Sequence, residues 1–282
     1  MHLKTGLVLE GGAMRGIYTA GVLDVLMERK LFFDAVIGVS AGAIHGCNYV
    51  SNQPGRSIRY YRKYSRDPRF LSVRSLLRTG NMVDTAFCYH ELPEKLDPFD
   101  NEAFMASPTA FYAVCTNLET GRAECIRCTD LFRQIDVLRA SASMPLASEI
   151  VEVEGKKYLD GGVADSVPLR AAEALGYERN VVVLTRPADY VKGREMNPLM
   201  RLRYRHYPAF LQAIENRPAM YADTMAYIRR REQEGAAFVI RPAAALPISR
   251  TDTDPEKLER VYQIGREDAE GRIEELARWL EA

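Results

Sequence analysis

The sequence predicts an α/β protein, a three-layer α/β/α sandwich with a mostly parallel central sheet. Three observations carry that prediction. Short apolar runs alternate with segments of helical period along most of the chain. Glycines mark two successive strand-to-helix junctions, Gly11-Gly12 and Gly38 with Gly42. No Gly/Ser-rich linker, low-complexity tract or internal repeat interrupts the 282 residues, a length able to bury one large core.

Taken in order, Lys4 to Glu10 reads as a buried strand and Ile17 to Lys30 as a helix, with Ile17, Ala20, Leu23, Leu26 and Met27 on one face. Ala35 to Val39 is a second strand, and Ala41 to Tyr49 a helix of small residues. Further strands are expected at Ala110 to Thr116, Arg122 to Arg127, Asn180 to Thr185 and Ala237 to Ile240. Helices are expected at Asp130 to Ala142, Leu169 to Leu175 and Pro218 to Glu234. Glu149 to Leu159, turning at Glu154-Gly155, reads as an antiparallel hairpin. Near the C-terminus Pro255 opens a helix whose stripe is Leu258, Val261, Tyr262, Gly265, Ala269, Ile273, Leu276 and Leu280. These elements divide into an α/β core over residues 1–190, with a cap or lid at 56–108, and a mainly helical extension over 191–282. The extension carries one further strand near 237–240 and is expected to pack on the core. The least regular part of the lid runs from Pro68 to Pro108.

Composition excludes more than it assigns. Lys+Arg and Asp+Glu stand at 38 each, so no net field favours nucleic acid. The N-terminal apolar run is too short for a signal-peptide core and no stretch approaches a membrane span, which points to the cytoplasm. Five irregularly spaced cysteines argue against a disulfide framework. Cys125 and Cys128 form a C-x-x-C without a second ligand pair, so no metal is expected. Two basic, aromatic stretches suit a membrane interface, Arg56 to Arg66 and Leu199 to Leu211. Against that, Arg201, Arg203 and Arg205 alternate and cannot share one helical face, and aromatics ordinarily serve the core.

The chemistry concentrates at the glycine junctions. Gly38-Val39-Ser40-Ala41-Gly42 follows a strand and precedes a helix of small residues, the setting in which flanking glycines permit a strained turn that presents a serine hydroxyl. Glu10-Gly11-Gly12-Ala13-Met14-Arg15-Gly16 lets backbone N–H groups converge on an anion, either a dinucleotide phosphate or the oxyanion of acyl transfer. A dinucleotide site wants glycine where Ala13 stands and an acid at the end of the next strand, whereas Asp34 precedes it. The oxyanion reading therefore fits better. An ordinary triad needs a later histidine, and His206 lies in a basic aromatic stretch with no defined turn; His45 points into the elbow helix. Tyr158-Leu159-Asp160-Gly161-Gly162 supplies a carboxylate instead, at the end of a hairpin strand.

In this order, and with Arg139-Ala140-Ser141-Ala142-Ser143-Met144-Pro145 between them, the motifs resemble those of the patatin-like phospholipases, which use a Ser-Asp dyad. The resemblance spans Leu7 to about Gly176, and Pro168 also falls at a family position. It implies a patatin-like fold, nucleophile Ser40, base Asp160, and oxyanion donors from Gly11, Gly12 and Ala13. Arg15 and Gly16 complete the glycine loop, Arg15 fixing it or adding positive potential, and Gly38 and Gly42 frame the elbow. Gly161, Gly162 and Pro145 support and wall the site. Ala13 replaces a third glycine, and Asp165-Ser166 replaces an asparagine pair. The implied activity is hydrolysis of acyl lipid or phospholipid esters through an acyl-enzyme, without cofactor or metal, in the cytoplasm or peripherally at a membrane. A transferase using the same acyl-enzyme and a catalytically silent lipid-binding module are the alternatives.

Overall fold

The computed structural model describes residues 3–281. An eight-stranded sheet forms its centre, in the order β5-β6-β3-β2-β1-β7-β8, with β4 also pairing β3. Strands β1 (Thr5–Leu9), β2 (Ala35–Val39), β3 (Ala110–Asn117), β7 (Arg179–Val183) and β8 (Ala237–Ile240) run parallel. Strands β4 (Ala123–Cys128), β5 (Val151–Val153) and β6 (Lys156–Asp160) are antiparallel to their neighbours. The parallel strands are apolar on both faces because both are covered. Leu7, Leu9, Val36, Val181 and Val183 enter the core on one side. Val8, Ala35, Ile37, Val39 and Val182 enter the core on the other.

On the first side lie α1 (Ile17–Glu28), α2 (Ala41–Val50), α3 (Arg56–Tyr64) and the long C-terminal α10 (Pro255–Glu281). On the second lie α7 (Leu169–Ala174) and α9 (Pro208–Gln233). Short helices α4 (Val73–Thr79), α5 (Asn101–Ala106), α6 (Ile135–Ser141) and α8 (Pro198–Arg203) fill the connections. A wide π-type helix, Phe87–Leu96, contains Pro93, whose missing N–H suits a loosened turn.

Several sequence expectations need correcting. Helix α9 begins at Pro208, ten residues before Pro218, which sits inside it rather than at its first turn. Proline marks a helix start only when nothing else holds the preceding turn, and here Phe210 and Ile214 are buried there. Helix α6 starts at Ile135 rather than Asp130, whose carboxylate accepts hydrogen bonds from Asn101 and Arg133 in the loop before it. In the Arg56 to Arg66 stretch the basic and aromatic residues part, with Arg59, Arg62, Lys63 and Arg66 exposed and the rings turned inward. Tyr60, Tyr61 and Tyr64 are buried, and Arg56 stacks between Tyr60 and Phe99 while donating to Asn48 and to the Asp97 carbonyl. The hairpin turns as expected at Glu154-Gly155, both with left-handed φ (50° and 75°). Cys125 and Cys128 lie on opposite faces of β4, one in each core, and so do not form a ligand pair.

The C-terminal helix is tied closely to α1. A Cβ on Gly265 would come 2.1 Å from the Tyr18 carbonyl, and one on Gly21 would come 2.2 Å from the Tyr262 carbonyl, so the two backbones touch at reciprocal glycines. Tyr262 donates to Asp24 at 2.6 Å and Tyr18 to Asp268 at 2.8 Å on either side of the crossing. Gly265→Ala should therefore cost about 1–3 kcal/mol by forcing the helices apart, a fall in Tm of about 2–10 °C. Gly271→Ala, in the same helix with nothing within 4 Å, should hold or slightly raise Tm. Equal thermal shifts in the two variants would contradict this packing.

Candidate active site

Three loops meet at the C-terminal ends of β1 and β2, where the order of connection reverses from β2 on one side of β1 to β7 on the other. Ser40 follows β2 directly and has φ 55° and ψ −123°, a left-handed backbone that a serine adopts only when its surroundings impose it. Its N–H donates to Ser141 Oγ at 3.0 Å, and Ser141 Oγ donates in turn to the Val114 carbonyl at 2.7 Å. The elbow is thus pinned to β3 by a buried serine from α6. The glycine loop lies against it, because a Cβ on Gly42 would come 2.6 Å from the Leu9 carbonyl. Gly11 passes the Ser40 and Val39 side chains, Gly16 passes Ala41, and Gly38 passes the backbone of Ala43. Ala13, standing where a third glycine was expected, takes φ 50°, so the strain anticipated for an alanine there is present.

Asp160 reaches the same place through register. Val39 pairs with Val114 and Cys115 pairs with Asp160, which sets the end of β6 level with the end of β2 across β3. Gly161 then lets the chain turn close over β3, since a Cβ there would meet the Val114 carbonyl at 2.1 Å. The Asp160 N–H donates to the Ser143 carbonyl at 2.8 Å, and its Oδ1 accepts from Gly162 N at 2.8 Å. Asp160 is buried, which raises its pKa above the ordinary carboxylate value; the nearby Ser40 hydroxyl and the Arg217 charge pull the other way without cancelling burial.

The histidines stand apart. His45 is buried behind the glycine loop with Nδ1 2.9 Å from Ser57 Oγ, and burial lowers its pKa to about 3. His206 is exposed beside Arg205. None of the histidines among the described residues lines either cavity at Ser40. Asp34 accepts from Thr5 at the opposite end of β1, away from the glycine loop.

Two cavities share Ser40, Ala13, Met144 and Arg250. One, of about 160 Å3, is apolar and runs between Tyr60, Tyr61, Phe70, Leu92, Phe99 and Leu138. The other, of about 170 Å3, holds Asp160 and is lined by Arg15, Arg186, Lys192, Arg217 and Arg250. Of these only Arg15 stood out in the sequence. Arg217 donates through Nε to the Gly162 carbonyl at 2.6 Å, clamping the Asp-Gly-Gly turn from α9, and pairs with Glu195. Glu10 lies under the glycine loop, accepting from Thr185 N and Oγ1 and from the Tyr221 hydroxyl at 2.9 Å. Ser141 was part of the Ala140 to Pro145 block, but its hydrogen bond to the elbow became visible only in three dimensions. Pro145 lines the polar cavity.

With this geometry in hand, the comparisons with known proteins place the chain. The model of the patatin-like phospholipase family matches residues 7–173, and the chain belongs to that family. A second model, a domain of unknown function, matches residues 207–281. The protein YjjU of Escherichia coli (strain K12) is 27% identical over 93% of this chain and 75% of its own. A lysophospholipase, nte1, of Aspergillus niger is 26% identical over 98% of this chain, which spans only 18% of that larger protein. An NTE family protein of Mycobacterium bovis is 23% identical over 69% of this chain and 52% of its own length. Among the described residues no group of three or more His, Cys, Asp or Glu side chains is arranged to hold a metal, and no helix is long and apolar enough to cross a membrane.

Burial of Asp160 has a thermodynamic consequence. A carboxyl whose folded pKa is raised costs nothing below its unfolded value of about 4, and stability is lost as pH rises through the folded value. Asp160→Asn, which keeps an oxygen to accept from Gly162 N, should therefore raise Tm at pH 7. The gain should shrink toward zero as pH falls below about 4. Thermal melts of both proteins across that range check it; a variant less stable at pH 7 than at pH 4, relative to wild type, would contradict it.

Proposed function

We propose that the chain is a serine acyl hydrolase that cleaves fatty acyl esters of lipids, with Ser40 as nucleophile and Asp160 as general base. The observation that carries this reading is the buried Asp160 carboxylate lining the same cavity as a serine held on a strained elbow, which also lines an adjoining apolar cavity. Family membership and the lysophospholipase relative support the same class of substrate.

In the first half-reaction Ser40 Oγ attacks the ester carbonyl carbon while its proton passes to Asp160. The carbonyl oxygen gains negative charge and lies toward the glycine loop. The Gly11 N–H is directed at the Ser166 carbonyl, 3.4 Å away, so Gly12 and Ala13 are the N–H donors assigned to the oxyanion. Collapse breaks the bond to the alcohol oxygen, which takes the proton from Asp160 and leaves. In the second half-reaction water gives a proton to Asp160 as its oxygen attacks the Ser40 ester. The acyl bond to Ser40 breaks, the proton returns to Ser40 Oγ, and the fatty acid departs. The raised pKa makes Asp160 a stronger base than an exposed aspartate.

Ser40→Ala should abolish labelling by a fluorophosphonate and all ester cleavage. Asp160→Asn should lower kcat by about 10^2–10^4-fold, and His206→Ala should leave kcat within about twofold. The acid limb of the wild-type pH profile should lie above about 4, in the direction of the raised Asp160 pKa. A fully active Asp160→Asn protein, or an unlabelled wild type, would overturn the dyad.

A further inference from the structure

The turn that carries Asp160 is gripped by a side chain from outside the segment that matches the phospholipase family. That segment is 7–173, whereas Arg217 belongs to α9 and to the 207–281 region that matches a domain of unknown function. Arg217 Nε donates to the Gly162 carbonyl at 2.6 Å. A Cβ on Gly162 would lie 3.0 Å from Asp160 Oδ1 and 3.2 Å from Arg217 Nη2, so carboxylate and guanidinium approach within about 6 Å of each other across that glycine. A side chain at 162 would crowd both.

The other edge of the guanidinium is fixed as well. Arg217 Nη1 pairs with Glu195, which lies in the irregular segment between β7 and α8 and also pairs with Arg250. Nη2, the nitrogen on the Asp160 side, makes neither of these bonds. Arg231, on the same helix, shows the contrast: it is spent on Glu173 and Glu234 and lines neither cavity at Ser40. Around Asp160 the polar cavity also presents Arg15, Arg186, Arg250 and Lys192, against Glu10. Glu10 is satisfied by Thr185 and Tyr221. Burial pushes up the pKa of Cys115 on β3 and of Tyr89 on the Phe87–Leu96 turn, and burial with the Arg217 charge lowers that of Lys192 to about 8. Of the charges near Asp160, Arg217 acts on it most strongly and Lys192 next.

We propose that Arg217, oriented by Glu195, is a positioning residue for the general base: it fixes the turn that carries Asp160 and sets a positive charge beside the carboxylate. The C-terminal region then governs how readily Asp160 gives up its proton, and the segment that bears the dyad does not do so alone. The inference rests on the Ser40 and Asp160 reading, because the clamp has nothing to act on if Asp160 is not the base. Its physical basis is an opposition. Burial disfavours the ionised carboxylate, a protonated Asp160 cannot accept the Ser40 proton, and an opposite charge within about 4–6 Å favours the ionised form. Glu195 works in two senses, holding the fork in place while its own negative charge offsets part of the Arg217 field.

The test measures kcat/KM against pH for hydrolysis of a chromogenic acyl ester by the full chain and its variants. Arg217→Gln should move the acid limb to higher pH, losing about tenfold at a pH on that limb, with the loss shrinking on the plateau. Arg217→Lys, which keeps the charge but not the fork, should bring the limb back toward its wild-type position. Glu195→Gln should move it the opposite way, to lower pH. Arg230→Gln removes the same charge from an exposed position about 20 Å further along α9 and should leave the limb in place. A limb unmoved in both Arg217→Gln and Glu195→Gln, moved in the same direction by both, or replaced by an equal loss at every pH would overturn the inference while leaving the dyad standing. If Arg217→Gln does not fold, Glu195→Gln decides, a downward shift supporting the inference and an unmoved limb overturning it. A fully active Asp160→Asn protein would overturn the dyad and the clamp together.

Discussion

The close approach of two backbones, the glycine loop after β1 and the first turn of α2, is the constraint on which the site depends. Gly42 brings the start of α2 onto the carbonyls of Leu9 and Glu10, leaving no room for a side chain. With the helix held there, Ser40 cannot relax to an ordinary backbone, and its φ of 55° is maintained by the Ser141 hydroxyl on its N–H. Strain of this kind costs about 1–3 kcal/mol and persists only when several contacts over-determine it. Here those contacts come from β1, β3 and α6 together. The same loop bears Ala13 at φ 50°, a second strained residue beside the first.

The Ala140 to Pro145 block links the halves of the site. Ser141 holds the elbow, the Ser143 carbonyl receives the Asp160 N–H, and Pro145 walls the polar cavity. Ser40 and Asp160 are 120 residues apart in the chain, yet each is bonded to the same short segment, Ser141 to Ser143 at the end of α6. Their spacing is therefore set by one rigid piece rather than by two independent loops.

The C-terminal third contributes to the site as well as to the fold. Arg217 from α9 grips the carbonyl of Gly162, and Tyr221 from the same helix fixes Glu10 beneath the glycine loop. On the opposite side of the sheet α10 closes over α1 through reciprocal glycines. Residues 207–281, which match a domain of unknown function, thus sit on both faces of the sheet that carries Ser40. That placement gives the region a physical role in supporting the loops on which the proposed chemistry depends.

The sequence by itself determined the α/β class, the strand-to-helix glycine junctions, the hairpin turn and the apolar stripe of α10, because each is a local pattern of period or backbone freedom. Ser40, Asp160 and the glycine loop were legible for the same reason: each sits at a turn whose glycines are required by close approach. Tertiary structure alone decided what surrounds them. In the basic and aromatic run at Arg56 to Arg66, packing of α3 turned the rings inward, with Tyr60 and Tyr61 lining the apolar cavity, and left Arg59, Arg62, Lys63 and Arg66 exposed. Pro218 looked like a helix start and lies inside α9, where packing of the earlier turns outweighed the lost hydrogen bond. Arg186, Lys192, Arg217 and Arg250 carried no signal in the sequence, being ordinary basic residues scattered over 65 positions. Only folding converges them on one cavity, because charge has no local pattern and its partners are chosen by position in space.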